Sequence, residues 1–211
     1  MPPVLHFPYV DLSRKQVVKQ ADLVLAMHLR GDSFTAEQKA RNFAYYEGLT
    51  VRDSSLSACT LAVLAAEVGH LRLAHDYLAE AALIDFDNLE HNTRDGLHIA
   101  SLAGTWIALV AGLAGMCGRS GTLHFSPRLP EGITRLAVTM AVRRRRLHIE
   151  IDAGSATYQL LAGEPMEVHH EGEAVTVTVG ESMMRPNGTA PRSDPPTQPI
   201  GREPRRHRPG S

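Results

Sequence analysis

The sequence predicts an α+β, multidomain chain: a helical first part, a small antiparallel β-sandwich, and a disordered tail rich in proline and arginine. Three observations carry that prediction. Up to about Gly118, apolar residues recur at helical spacing; from Gly121, short strand-like runs alternate with turn residues; after Ser182, core-forming residues almost vanish. The expected boundaries are 1–118, 119–181 and 182–211. A chain of 211 residues has room for one domain or two small ones, and 43% hydrophobic residues suffice for a core.

Leu12, Val17, Val18, Leu23, Val24, Leu25, Met27 and Leu29 predict one helical segment, interrupted by the polar Lys19, Gln20 and Asp22. Thr35 with Gln38 three residues later is a capping box that opens TAEQKARNFAYYE. Ser54 or Ser55 opens the next helix, and Gly69 ends it. LRLAHDYLAEAALIDF is a further helix from His70 or Leu71, and a last one runs from Asp95 to Met116. Paired helices with short connections suit an all-α layer or part of a helical barrel. Strands are predicted in TLHFSP, RLAVTMAVR, RLHIEID, ATYQLLAG, MEVHH and AVTVTVG, separated by turns at PEG, DAG, GEP and EGE. The tail holds seven of the 13 prolines, and six arginines against Asp194 and Glu203, a composition that cannot build a core.

A formal charge of −1 and a pI near 6.8 favour neither nucleic acid nor membrane as a partner. The first residues lack the basic start and apolar stretch of a leader, and no run reaches the roughly 18 apolar residues of a spanning helix. A cytoplasmic location is expected. Cys59 and Cys117 fall in apolar helical contexts and read as two buried free thiols rather than a disulfide. His148, His169 and His170 lack the ligand set of a zinc site, so no metal is expected. Arg143 to Arg146 suit a solvated hairpin turn, and Glu67, Glu80, Asp85 and Asp87 suit helix surfaces or ends. No nucleotide-binding or nucleophile-elbow motif occurs, and no cofactor is expected.

Three constellations could hold a ligand. Asp53-Ser54-Ser55 opens a helix; such residues are often caps, but free backbone N–H groups and hydroxyls at a helix start also suit an anion, and Arg52 could add charge. Asn92-Thr93-Arg94-Asp95-Gly96-Leu97-His98 brings a hydroxyl, a glycine that permits close approach, and an imidazole to another helix start. Lys19-Gln20-Ala21-Asp22 interrupts an apolar run. If buried, these residues need partners, and carbohydrate hydroxyls are suitable; if not, they are the solvated stripe of an amphipathic helix.

VVKQADLVL (17–25), NFAYYEGLTVRDSSLS (42–57), HNTRDGLHIASLAGTW (91–106) and LHFSPRLPEGITRLAV (123–138), in that order and spacing, resemble glycoside hydrolase family 65, which includes phosphorylases of maltose, trehalose and kojibiose. The resemblance covers roughly Tyr9 to Leu161. It implies that residues up to about 118 are the last helices of an (α/α)6 barrel and that residues 120 to about 181 are the family's C-terminal β-sandwich. It assigns Lys19 and Gln20 to the non-reducing glucose and Ser54, Ser55 and His98 to phosphate, with Thr93 and Gly96 as nearby candidates. The partners it implies are an α-linked glucose disaccharide and inorganic phosphate as co-substrate.

In an inverting phosphorylase one carboxylic acid protonates the glycosidic oxygen while phosphate attacks the anomeric carbon from the other face. Phosphate is already nucleophilic, so it needs positioning rather than a base. The family's general acid is a glutamate upstream of the Lys-Gln pair, and none occurs among the 18 residues before Lys19. The expectation is therefore a C-terminal fragment of an inverting α-glucoside phosphorylase or hydrolase that contributes binding residues, has no catalytic residue of its own and turns over negligibly alone. The alternative is a non-catalytic sugar- or phosphate-binding module, complemented by an N-terminal polypeptide or by a second copy. A decayed gene product is a third. The disaccharide is not legible.

Overall fold

The computed structural model describes residues 9–12, 14–51, 54–192, 194–198 and 200–204. Arg52 and Asp53 lie outside them, as do the first eight residues, on which the expectation about a leader falls. Two compact units are present, one ending at Ala108 and joined by the residues from Pro191 onward, the other running from Leu109 to Ala190.

The helical unit consists of α1 (Tyr9–Leu12), α2 (Asp22–Leu29), α3 (Ala36–Leu49), α4 (Ser57–Glu67), α5 (Leu71–Leu83) and α6 (Ile99–Ile107). In α4, Ser57–Cys59 and Leu61–Ala66 are all buried, as expected of a helix apolar on every side. It packs against α2, α5 and α6. α5 is amphipathic and buries Ala74, Tyr77, Leu78 and Ala81, one stripe at helical spacing. Val24, Met27, Phe43, Leu61, Leu64 and Tyr77 form the fully buried centre. The expected capping box opens α3: Thr35 Oγ1 accepts from Gln38 N at 3.1 Å, and Thr35 N donates to Gln38 Oε1 at 2.9 Å. The buried Lys39 ties α3 to α4 by donating to Glu67 at 2.5 Å.

Three helix boundaries depart from expectation. The first segment is not one helix: after α1 the chain turns, Val18 pairs in parallel with Thr50, and α2 starts only at Asp22. Lys19 and Gln20 lie in the bend between and are exposed, which removes the cost of burying them. α4 starts at Ser57, because Ser54 and Ser55 belong to the turn leading into it. α6 starts at Ile99 rather than Asp95, because Gly96 has φ +138°, which no right-handed helix admits. α6 continues into a π-turn at Ala108–Leu113, where Ala114 N bonds to Leu109 O at 2.9 Å.

The second unit is a sandwich of two four-stranded sheets. One has the order β1 (Cys117–Arg119), β2 (Thr122–Phe125), β6 (Met166–His170), β7 (Glu173–Val177); the other has β3 (Arg135–Val142), β4 (Arg145–Asp152), β5 (Ser155–Ala162), β8 (Ser182–Pro186). Alternate residues point inward: Leu147, Ile149 and Ile151 from β4 and Ala156, Tyr158 and Leu160 from β5 meet Phe125, Val168, Val175 and Val177 of the opposite sheet. The Phe125 and Tyr158 rings lie 5.3 Å apart. The sandwich is not purely antiparallel, since β2 and β6 pair in parallel. Cys117 is not helical but half-buried in β1, while Cys59 is buried in α4, and both are free.

The tail also departs from expectation. Ser182–Pro186 is a strand paired with β5, so the boundary expected at 181 falls short of the sheet edge. Pro186 ends that edge strand, a position where its missing donor is tolerated. Farther on, Gln198 Nε2 donates to Glu47 at 2.5 Å and Arg202 to the Gly48 carbonyl at 3.1 Å. The Pro191 carbonyl sits against Gly69, where a Cβ would come within 1.9 Å of its oxygen. Gly69 also has φ +92°, so glycine is needed there twice over.

Candidate ligand-binding site

The candidate residues gather into two clusters of the helical unit. The first forms where the chain before α2 meets the chain before α4. Val18 N donates to Leu49 O at 3.0 Å, and Val51 N donates to Val18 O at 2.9 Å. This short parallel bridge brings Lys19 and Gln20 beside the turn that enters α4. Gln20 Nε2 donates to Ser54 Oγ at 3.2 Å, across 34 residues of sequence. A candidate sugar-binding side chain and a candidate phosphate-binding side chain are thus in direct contact. Ser54 Oγ also accepts from Leu56 N at 3.4 Å, and Ser54 O accepts from Ser57 N at 3.0 Å, so the serine shapes the turn as well. Ser54 and Ser55 are half-buried and Lys19 is exposed.

The second cluster is built around Asp85, just past α5. Its Oδ2 accepts from His98 N at 2.8 Å, and its Oδ1 lies 2.6 Å from His98 Nδ1. The side chains are 17% exposed for His98 and 9% for Asp85. The hydrogen bond from His98 holds the Asp85 carboxyl below the usual carboxylate range. An ionised Asp85 accepts a hydrogen bond from the His98 Nδ1–H and thereby fixes the tautomer, leaving Nε2 as the nitrogen turned to other partners. Thr93 is held by Asn88, whose Oδ1 accepts from Thr93 Oγ1 at 2.8 Å and from Thr93 N at 3.1 Å. Gly96 is exposed, and a Cβ there would meet nothing within 4 Å, so its main chain is open to approach.

Asp85 was read from the sequence as a helix-end carboxylate. It does lie at the end of α5, and it also orients His98, a second role whose trace in the sequence is the polar, turn-rich run between Asp85 and His98. That run folds tightly: Asn88 and His91 adopt φ of 47° and 56°, and Leu89 N bonds back to Ile84 O at 2.9 Å. The helices that carry the two clusters pack closely. A Cβ on Gly104 of α6 would lie 2.5 Å from Cys59 Sγ of α4. Burial pushes the Cys59 thiol up, which leaves it neutral and unreactive. Among the described residues no group of three His, Cys, Asp or Glu could hold a metal ion, and no helix is long and apolar enough to cross a membrane.

Comparison with known proteins gives consistent matches. The model of the glycosyl hydrolase family 65 central catalytic domain matches residues 1–107, and that of the family's C-terminal domain matches residues 116–177. An uncharacterized glycosyl hydrolase of Mycobacterium leprae is 52% identical over 98% of this chain and 27% of its own length. The alpha,alpha-trehalose phosphorylase of Thermoanaerobacter brockii is 36% identical over 85% of this chain and 23% of its own. A solved structure provisionally described as a kojibiose phosphorylase, from the human microbiome, has the same fold: TM-score 0.83 at 22% identity, over 90% of this chain and 28% of that one. The chain spans about a quarter of the length of the relatives it matches.

Proposed function

The chain belongs to glycosyl hydrolase family 65, and on that premise we propose that its helical unit holds glucose and phosphate in the active site of a disaccharide phosphorylase. The observation that carries this is the bond from Gln20 to Ser54. Phosphorolysis needs an attacking phosphate oxygen next to the anomeric carbon of a bound glucosyl group, and here the sugar-side and phosphate-side residues touch.

Each residue then has a role. Lys19 and Gln20 engage hydroxyls of the non-reducing glucosyl unit, for which exposed donors at a chain bend suit a ligand that both donates and accepts. Ser54 and Ser55 present hydroxyls in the turn leading into α4, near the positive end of its helix dipole, which favours phosphate. His98, with Nδ1 held by Asp85, directs Nε2 at a phosphate oxygen, and Thr93 and the open main chain of Gly96 line the approach. A phosphate oxygen bonds to the anomeric carbon as the glycosidic C–O bond breaks, and the departing oxygen takes a proton from a carboxylic acid. That acid belongs to a further part of the family's catalytic domain, and the site is complete only with it.

The exposed face of α6 supports this last point. Ile99, Leu102 and Trp106 recur at helical spacing and are 65%, 38% and 50% exposed. Such a stripe is a contact surface, and further helices of an (α/α)6 barrel would cover it. Calorimetric titration with inorganic phosphate tests the assignment: the chain binds phosphate, and Ser54→Ala and His98→Ala each weaken binding. Unchanged affinity in both variants would overturn it.

A further inference from the structure

The β-sandwich carries a cleft that the candidate sugar and phosphate residues do not touch. Three connections meet at one end of the sandwich: the Ser120–Gly121 turn between β1 and β2, the Arg143–Arg144 turn between β3 and β4, and the Gly163–Pro165 loop between β5 and β6. In each of the two hairpin turns both central residues have positive φ: 48° and 83° at Ser120 and Gly121, 48° and 66° at Arg143 and Arg144. These are the tight turns that match the twist of paired strands. Between them lies an open cleft of about 410 Å³, within the roughly 300–1,000 Å³ of small-molecule sites.

Among the described residues, two arginines of the sandwich are held in ion pairs, and those lining this cleft are not. Arg128 pairs through both terminal nitrogens with Glu171, and Arg135 pairs with Glu150 through bonds of 2.6 and 2.9 Å. Arg143 and Arg145, which line the cleft, have no carboxylate partner among the described residues. The Arg145 side chain is nonetheless held in place, while Arg143 is exposed. Arg145 Nε donates to the Glu164 carbonyl at 2.9 Å and its Nη1 to the Arg143 carbonyl at 3.4 Å, and those dipoles orient the guanidinium without cancelling its charge. The Arg143 guanidinium lies over Gly121, where a Cβ would come within 3.2 Å of Nη2. Gly163 packs on Arg145 in the same way: a Cβ there would sit 2.9 Å from Cγ. Leu123, Val142 and Met166 give the cleft an apolar wall, and Glu167 lies at its edge with its Oε1 turned to His169 at 3.1 Å.

Two guanidinium groups without an ion pair among the described residues, one of them oriented by main-chain carbonyls, beside an apolar wall suit a ligand that is anionic at one end and hydrocarbon at the other. Guanidinium matches phosphate oxygens in a fork that a lone ammonium cannot offer. We propose that this cleft binds a small organic phosphate, with the phosphate between Arg143 and Arg145 and the carbon skeleton against Leu123 and Met166. The proposal does not depend on the function assigned to the helical unit.

The test is an amide-shift titration of the full chain with phenyl phosphate, inorganic phosphate and phenol as separate probes. Phenyl phosphate is expected to shift Gly118, Gly121 and Thr122 and to bind roughly tenfold more tightly than inorganic phosphate at those residues. Phenol alone should leave them unmoved. The double variant Arg143→Ala/Arg145→Ala should lose these shifts while Tyr158 and Val168 keep their native resonances, which separates lost binding from lost fold. Arg143→Lys/Arg145→Lys should bind more weakly than the native chain despite equal charge. Persistence of the shifts in the alanine variant, equal affinity for phenyl and inorganic phosphate, or no shift at Gly121 would each overturn the proposal. Shifts at Ser54 and His98 report the other site and are read separately.

Discussion

His98 shows how one residue's chemistry depends on a neighbour the sequence does not advertise. Its main-chain N–H and Nδ1 both engage Asp85, one on each carboxylate oxygen. Asp85→Asn leaves a single oxygen for two donors and frees the ring to rotate. We expect phosphate affinity to fall on the order of tenfold, the scale seen when the partner that orients a histidine is removed, while the thermal midpoint moves little. Titration calorimetry and a melt on the same sample check both. The candidate residues of the proposed site stood out in the sequence because hydroxyl, amide and imidazole groups at helix entrances are chemically unusual as a set. Their supports did not. Asp85 lies 13 residues before His98, and only the tight turns between them reveal that it points back. The contact of Gln20 with Ser54 spans 34 residues and depends on the Val18–Thr50 bridge, which leaves no periodic mark.

Among the elements, helices with a clear apolar stripe and a cap were legible to within a residue or two, as in α3 with its Thr35–Gln38 box. The single first helix failed because an apolar period continues across Lys19–Gln20 although the backbone does not. β8 escaped because Met, Arg and Pro give no strand alternation; it forms because β5 offers an unpaired edge. Thr35→Ala should cost about 1 kcal/mol through loss of the cap, read as a lower urea midpoint with unchanged slope. The α4–α6 contact is less forgiving. Gly104→Ala places a methyl 2.5 Å from Cys59 Sγ and 2.7 Å from its Cβ, so the helices must separate. Overpacking of this kind costs roughly 1–3 kcal/mol. Cys59→Ala should not rescue it, because the Cys59 Cβ is itself part of the clash; full rescue would show that the sulfur alone was responsible.

For the whole molecule, acid should act on both units through histidines held below their ordinary value, because burial, with His169 and Arg119 nearby, lowers His124 in the sandwich just as burial lowers two histidines of the helical unit. In the helical unit, burial pushes both His28 and His70 below the ordinary histidine value, against the opposing pull of Glu67 and Glu47 respectively. A histidine held neutral in the folded state binds fewer protons than in the unfolded chain, so stability falls once pH drops below about 6.5. In the sandwich, the bond from Arg135 holds Glu150 low, and the Gly154 and Ser155 amides hold Asp152 low. That stabilisation is present above the ordinary carboxylate range and is lost only as pH falls through the depressed values. Helical ellipticity and the Tyr158 resonance of the sandwich core should therefore both lose thermal stability between pH 7.5 and 5.5. A thermal midpoint of either signal that stays unmoved across that interval would contradict this.

The passage from helices to strands was legible from a change of period near residue 118, and family membership follows from residues 1–107 and 116–177. That sugar-side and phosphate-side residues form one site is the central claim. Amide shifts of the full chain with glucose, with phosphate and with both test it most directly. Phosphate should move Ser54, Ser55 and His98, glucose should move Lys19 and Gln20, and each ligand should alter the response to the other. If phosphate leaves Ser54 and His98 unmoved, or if the two ligands act without mutual effect, these residues do not form that site.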